Sequence, residues 1–108
     1  MSDARLAVDA PGRWCLTGVL DFDSVPDLAR AGRRLWRDAS RQQLRQLEID
    51  LSGVTAANSA GLTLLLEWLE TARALGIALT FDHLPDALCR IARTSNSEHL
   101  LPAAPSAA

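Results

Sequence analysis

The chain has 108 residues, 48% of them hydrophobic, and a formal charge of −2, which fits one globular domain with a single core. The acidic balance gives no general attraction to nucleic acid, and the N-terminus lacks the layout of a signal peptide. No apolar run approaches the roughly 20 residues needed to span a bilayer. Cys15 and Cys89 lie in apolar patterns without a CxxC pair, which predicts buried, unbridged thiols. We therefore expect a soluble cytoplasmic protein that neither binds nucleic acid nor inserts into a membrane.

The first third of the chain predicts a hairpin followed by a helix. Residues 6–9 alternate in polarity, as does "RWCLTG", and Pro11 and Gly12 between them suit the two central positions of a type II turn. The segment "VLDFDS" is expected to be a loop. A helix is expected to follow, with Ser24 as its N-cap and Pro26 in its first turn.

The remaining elements alternate between strand and helix. "LRQLEIDL" predicts a strand, Ser59 to Leu75 a helix ended by Gly76, "IALTF" a strand, and "PDALCRIAR" a third helix. "SEHLLP" can add a short turn. The order β-β-α-β-α-β-α predicts one α/β domain over residues 1–102. Its mixed four-stranded sheet would begin with the hairpin and continue through parallel crossovers, packed by three to four helices, and residues 103–108 would form a disordered tail.

Polar side chains follow the three strands that are expected to be parallel. Since the carboxyl ends of parallel strands share one edge of a sheet, we expect these side chains to meet there, where open α/β sheets usually place their sites. They are Asp21, Asp23, Asn58, Ser59, Asp82 and His83.

The stretch "GVTAANSAGLTLLLEWLE" allows several roles for Ser59. Either Asn58 or Ser59 can cap the helix, which contributes about 1 kcal/mol. A hydrolase would combine Ser59 with His83 and an aspartate of the same edge, but the glycine-flanked G-x-S-x-G turn is missing. A phosphate on Ser59 would meet free N–H groups and the positive end of the helix dipole.

Two helices carry faces that could contact a partner. The second helix is apolar over a wide arc, which predicts burial beneath neighbouring elements, with an exposed interaction patch around Leu64 and Trp68 as the alternative. The first helix carries arginines at helical spacing, which predicts a solvated face, with an acidic partner or a membrane surface as the alternative. These are Arg30, Arg33, Arg34, Arg37 and Arg41.

The sequence offers no cofactor motif. His83 and His99 lack companions at the spacing of metal ligands, so no metal site is expected. Neither a Walker A pattern nor a dinucleotide-binding glycine pattern is present.

The segment "LEIDLSGVTAANSAGLTLLLEWLETARALGIALTF" resembles the STAS domain family, to which the bacterial anti-sigma factor antagonists belong. The family signature is an apolar strand with D-L-S-x-V, a short loop, and D-[ST]-x-G-L at a helix start. The matching residues are Asp50–Val54 and Asn58–Leu62, and "LTGVLDFDSV" resembles the family's second strand and the loop after it. The likeness covers nearly all of residues 5–101. Asn58 departs from the aspartate usual in the antagonists.

Within this family, the chain is more similar to the small STAS subunit of Mla-type ABC transporters, which move phospholipids between the membranes of Gram-negative bacteria. The resemblance implies a non-enzymatic subunit that binds an ABC ATPase (MlaF-like), in complex with a permease (MlaE-like) and a substrate-binding subunit (MlaD-like), at the cytoplasmic face of the inner membrane. It also implies the alternative, an anti-sigma factor antagonist switched by phosphorylation of Ser59. The implied partner-binding residues are Asp21, Asp23, Asn58, Ser59, Ala60 and Thr63.

Overall fold

The computed structural model describes residues 4–94 and confirms the α/β fold. The sheet order is β1-β2-β3-β4, with β1 antiparallel to β2 and the other neighbours parallel. The expected short turn in "SEHLLP" and the expected tail lie outside the described residues. The elements are β1 (Arg5–Ala10), β2 (Arg13–Leu20), α1 (Val25–Arg41), β3 (Gln46–Ala57), α2 (Ser59–Leu75), β4 (Ala78–Asp82) and α3 (Asp86–Thr94).

The turns follow the local chemistry of the sequence. Gly12 has a φ of +80°, the left-handed value that a type II turn requires at its third residue. Gly76 ends α2 with a φ of +72°, as the sequence predicts for a glycine C-cap. Among residues 4–94, no helix is long and apolar enough to cross a membrane.

Two strands are longer than their sequences indicate. β2 continues through Val19 and Leu20, and β3 continues to Ala57, so the expected loops begin later. The reason is that these segments pair with each other, with Leu20 opposite Ala57. Gly53 permits the close approach, because a Cβ there would lie 2.5 Å from Cγ2 of Thr17. Tertiary pairing therefore overrides the weak strand tendency of small residues.

The core lies between one face of the sheet and the helices. Leu16, Ile49 and Phe81, on the adjacent strands β2, β3 and β4, are each 0% exposed. Leu64 and Trp68 of α2 are 0% and 4% exposed, so burial of the wide apolar face is confirmed and the exposed patch around them is wrong. The two cysteines are unbridged, as expected, but only half-buried.

Candidate functional site

The loops after β2 and β3 begin side by side. The N–H of Asn58 donates to the carbonyl oxygen of Leu20 over 3.0 Å, which ties the end of one strand to the start of α2. Gly61 completes the contact, since a Cβ there would lie 2.8 Å from Cβ of Leu20. The loop of residues 21–24 and the first turn of α2 therefore start next to each other.

The loop after β2 is held by its own polar groups. Oδ1 of Asp21 accepts hydrogen bonds from the N–H groups of Asp23 and Ser24, and Oγ of Ser24 accepts one from the N–H of Asp21. Ser24 occupies the N-cap position of α1, but its side chain bonds back to the loop instead of capping the helix. The predicted N-cap position is therefore confirmed, but the buried hydroxyl bonds to the backbone of Asp21 and caps no N–H group of the helix.

This ordered loop presents a large apolar side chain that the sequence analysis did not single out. Phe22 is 71% exposed between two aspartates. Of its two neighbours, Asp21 accepts hydrogen bonds from the loop backbone, whereas the side chain of Asp23 is exposed to solvent. A signal was present in the sequence: a phenylalanine flanked by aspartates in a loop has no apolar neighbour with which to enter the core.

At the start of α2, capping and exposure fall on different residues. Oδ1 of Asn58 accepts a hydrogen bond from the N–H of Ala60 over 2.8 Å, so Asn58 is the cap. Ser59 and Thr63 are exposed one turn apart, and the Ser59 hydroxyl bonds to no residue within 4–94. Ala60 is only 7% exposed and offers little contact area.

The expected meeting of His83 with Ser59 does not occur. β4 ends at Asp82, which pairs with Asp50 and, through it, with Cys15 of β2. The end of β4 is therefore level with Cys15, whereas the start of α2 is level with Leu20. Along β2 these two positions are five residues apart, or about 17 Å. His83 instead contacts Asp50 and Asp82, so the described chain does not assemble the serine, histidine and aspartate of a hydrolase.

His83 belongs to a charged cluster on the face of the sheet opposite the core. Its Nδ1 lies 3.0 Å from Oδ1 of Asp50 and 3.3 Å from Oδ2 of Asp82. These three side chains offer ligand atoms within 4.8 Å of one another, a proximity that spacing along the chain does not reveal. Such donors could ligate a divalent cation. In the structure the guanidinium of Arg13 supplies positive charge, since it ion-pairs with Glu48, Asp50 and Asp82.

Two pKa values reflect this cluster. Burial raises the pKa of Cys15, and the nearby carboxylates of Asp9 and Asp50 raise it further, so the thiol stays protonated. For Asp50, burial opposes ionisation, but the Ser52 N–H and the side chains of His83, Ser52 and Arg13 outweigh it. The pKa of Asp50 therefore lies below its ordinary value of 3.8.

The lowered pKa predicts a pH dependence of stability. The unfolded chain binds the Asp50 proton more tightly than the folded chain, so the stabilisation is present above about pH 4 and is lost as the pH falls through the folded pKa. We expect Asp50→Asn to destabilise the domain at pH 7 and to differ less from wild type at pH 3, as measured by urea unfolding. Asp23→Asn, in an exposed loop, is the control. If the unfolding free energies of Asp50→Asn and wild type differed equally at pH 7 and pH 3, the lowered pKa of Asp50 would be wrong.

Residues 4–94 form a small α/β domain with a preorganised loop surface at the ends of β2 and β3. A family model described as "Mlab, STAS domain" matches residues 7–102, and the chain therefore belongs to the STAS domain family. No curated protein matches the chain.

Among solved structures, the fold is similar to that of an anti-sigma factor antagonist from Mycobacterium paratuberculosis. That likeness has a TM-score of 0.66 and 22% identity, and covers 99% of this chain and 88% of the other. The anti-sigma factor antagonist SpoIIAA in its unphosphorylated form is also similar, with a TM-score of 0.58 and 12% identity, covering 94% and 87% of the two chains. At these identities the likenesses show the fold alone.

Proposed function

We propose that the chain is a non-enzymatic STAS subunit that binds and supports the ATPase of an ABC transporter moving phospholipids between the inner and outer membranes, and so maintains outer-membrane lipid asymmetry. The observation that carries the proposal is the exposed Phe22 in the loop after β2, which begins next to the start of α2, where the Ser59 hydroxyl bonds to no residue within 4–94. The chain that carries them is a member of the family described as "Mlab, STAS domain". The docking face is defined here as Phe22, Asp23, Ser59 and Thr63.

The docking face has the composition of a protein-binding surface. Phe22 supplies an aromatic anchor, and aromatic side chains are enriched among the residues that dominate binding energy. Ser59 supplies a hydroxyl that is free to hydrogen-bond with a partner, and the exposed Asp23 adds a carboxylate beside them. The hydrogen bonds around Asp21 hold the loop in place before binding, which lowers the entropy lost on association.

Docking would act on the ATPase by contact alone. A bound subunit shifts a conformational equilibrium only as far as it contacts one state better than the other. The docking face would therefore favour one arrangement of an MlaF-like ATPase that is assembled with an MlaE-like permease and an MlaD-like substrate-binding subunit. The chain would then lie at the cytoplasmic face of the inner membrane through its partner.

Affinity purification of the tagged full chain from its native cells, with mass spectrometry of its partners and of Ser59, tests this function. We expect an ABC ATPase with its permease and an unmodified Ser59. Recovery of a kinase-like anti-sigma factor, with phosphate on Ser59, would contradict it and support the alternative, an anti-sigma factor antagonist. The exposed position of Ser59 at a helix N-terminus favours that alternative physically.

We expect Ser59→Glu to weaken binding to the ATPase at least about tenfold, because an uncompensated charge would enter the interface. The substitution should not destabilise the fold, since a carboxylate in the first turn of a helix interacts favourably with the dipole. Titration calorimetry and urea unfolding measure the two effects.

Ala74→Glu is the matched control for Ser59→Glu. Ala74 is exposed on the same helix, about four turns away, and its variant should bind as wild type does. Equal affinity of the Ser59→Glu variant and wild type would remove Ser59 from the interface.

A further inference from the structure

A groove of about 540 Å³ lies between α1 and α2, away from the docking face. Its α2 side runs from Glu67 to Leu75, which begins eight residues after Ser59, or about 12 Å along the helix. The volume falls within the range of small-molecule sites. Its lining includes Arg33, Trp36, Arg37, Arg41, Trp68 and Leu75.

The floor of the groove is apolar and aromatic. Trp36 and Trp68 form it, each 4% exposed, and Leu75 at one end is 40% exposed. Gly32 brings the two helices together, because a Cβ there would lie 3.0 Å from Nε1 of Trp68. The indole N–H of Trp36 is buried and has no hydrogen-bond partner in the described chain, and a buried donor left unpaired is costly.

One wall of the groove is a row of arginines. Arg33, Arg37 and Arg41 follow one another at intervals of four residues, so they lie on one side of α1 about 6 Å apart. None forms an ion pair with a residue between 4 and 94, whereas Arg30 pairs with Asp27. The facing wall contributes one carboxylate, that of Glu67. The groove therefore combines an apolar floor with excess positive charge.

We infer that this groove is a binding site for a small single-chain amphiphile with a phosphate head. The apolar chain would lie on the two indoles and Leu75, and two neighbouring guanidinium groups would bind the phosphate. Planar guanidinium groups suit a phosphate because they donate in pairs. An adjacent pair of arginines also matches a doubly charged phosphate better than a single carboxylate.

A free amphiphile fits these observations better than a bilayer surface does. A flat membrane contacts protruding side chains, whereas the two tryptophans lie at the bottom of a cleft between helices. Arg34, on the same helix, does not line the groove. The binding free energy would thus depend on particular arginines and not on the total charge of α1.

Tryptophan fluorescence of the full chain, titrated with monomeric decyl phosphate, tests the site. Trp36 and Trp68 line the groove, and the ring centroids of Trp14 and Trp36 lie 4.7 Å apart. The fluorescence of all three tryptophans of the chain can therefore change when a ligand fills the groove. We expect a saturable change with decyl phosphate, and binding at least about tenfold weaker for decanol or for inorganic phosphate, because each lacks one of the two groups recognised.

The variants separate groove binding from general charge attraction. Arg37→Gln should weaken decyl phosphate binding at least about tenfold, the usual scale of a lost charge-assisted hydrogen bond, while Arg34→Gln should leave it unchanged. Equal weakening by both variants, equal binding of decanol, or no saturable binding would overturn the inference. Binding only to vesicles of anionic phospholipid would overturn it in favour of a membrane surface.

Discussion

Replacing Phe81 by alanine is expected to lower the free energy of unfolding by about 3–5 kcal/mol, the range for removing a buried phenylalanine. Phe81 is 0% exposed, next to the last residue of β4, and belongs to the single described core. Truncation would leave a cavity between the sheet and the helices, and the neighbouring core side chains could move only partly into it. Since domains of this size are stable by about 5–15 kcal/mol, much of the total would be lost.

Phe22→Ala is the matched control for Phe81→Ala. The chain has two phenylalanines, and Phe22 is 71% exposed. The same substitution there should change the free energy of unfolding by no more than about 0.5 kcal/mol. Urea unfolding of both variants measures the difference. Similar losses in the two variants would mean that Phe22 packs into the fold and that the docking face is misassigned.

Phe22, whose truncation should hardly change stability, is expected to matter for binding to the partner. We expect Phe22→Ala to weaken the complex with the ATPase subunit by about 2 kcal/mol or more, roughly thirtyfold, because a central aromatic side chain commonly supplies that much at an interface. The surrounding loop should keep its shape, since its hydrogen bonds involve Asp21 and Ser24 and not the ring. Calorimetric titration of the purified ATPase measures the loss.

Val8→Ala provides the comparison for binding. Val8 is 54% exposed on β1, outside the docking face, and its truncation should leave the affinity unchanged. If Phe22→Ala bound as tightly as wild type, the partner would have to dock elsewhere on the domain. If Val8→Ala weakened binding equally, general apolar contact and not the loop would be responsible.

Much of the fold could be predicted from local patterns. The alternation of Leu47, Ile49 and Leu51 identified a half-buried strand, and Gly12 and Gly76 marked a turn and a helix end that the structure confirms. These features depend on neighbours in sequence. The extension of β3 to Ala57 does not, because the small residues there become a strand only through pairing with β2.

The site was harder to predict for the same reason. Strand order placed the loops after β2 and β3 together, which the structure confirms, but the unequal strand ends separate His83 from them. The proximity of Asp50 to His83 also depends on the register between β3 and β4. A sequence indicates the order of strands more readily than their register, so residues that meet across strands remain hidden.

The sheet order has a consequence for synthesis. Strands β1 to β4 lie in the sheet in the order in which the ribosome makes them, so each new strand can pair with one that has already emerged. β4 completes the sheet last, and until it arrives the edge of β3 from Gln46 to Asp50 has no pairing partner on that side. Chains released before β4 is made would therefore expose an open strand edge to one another.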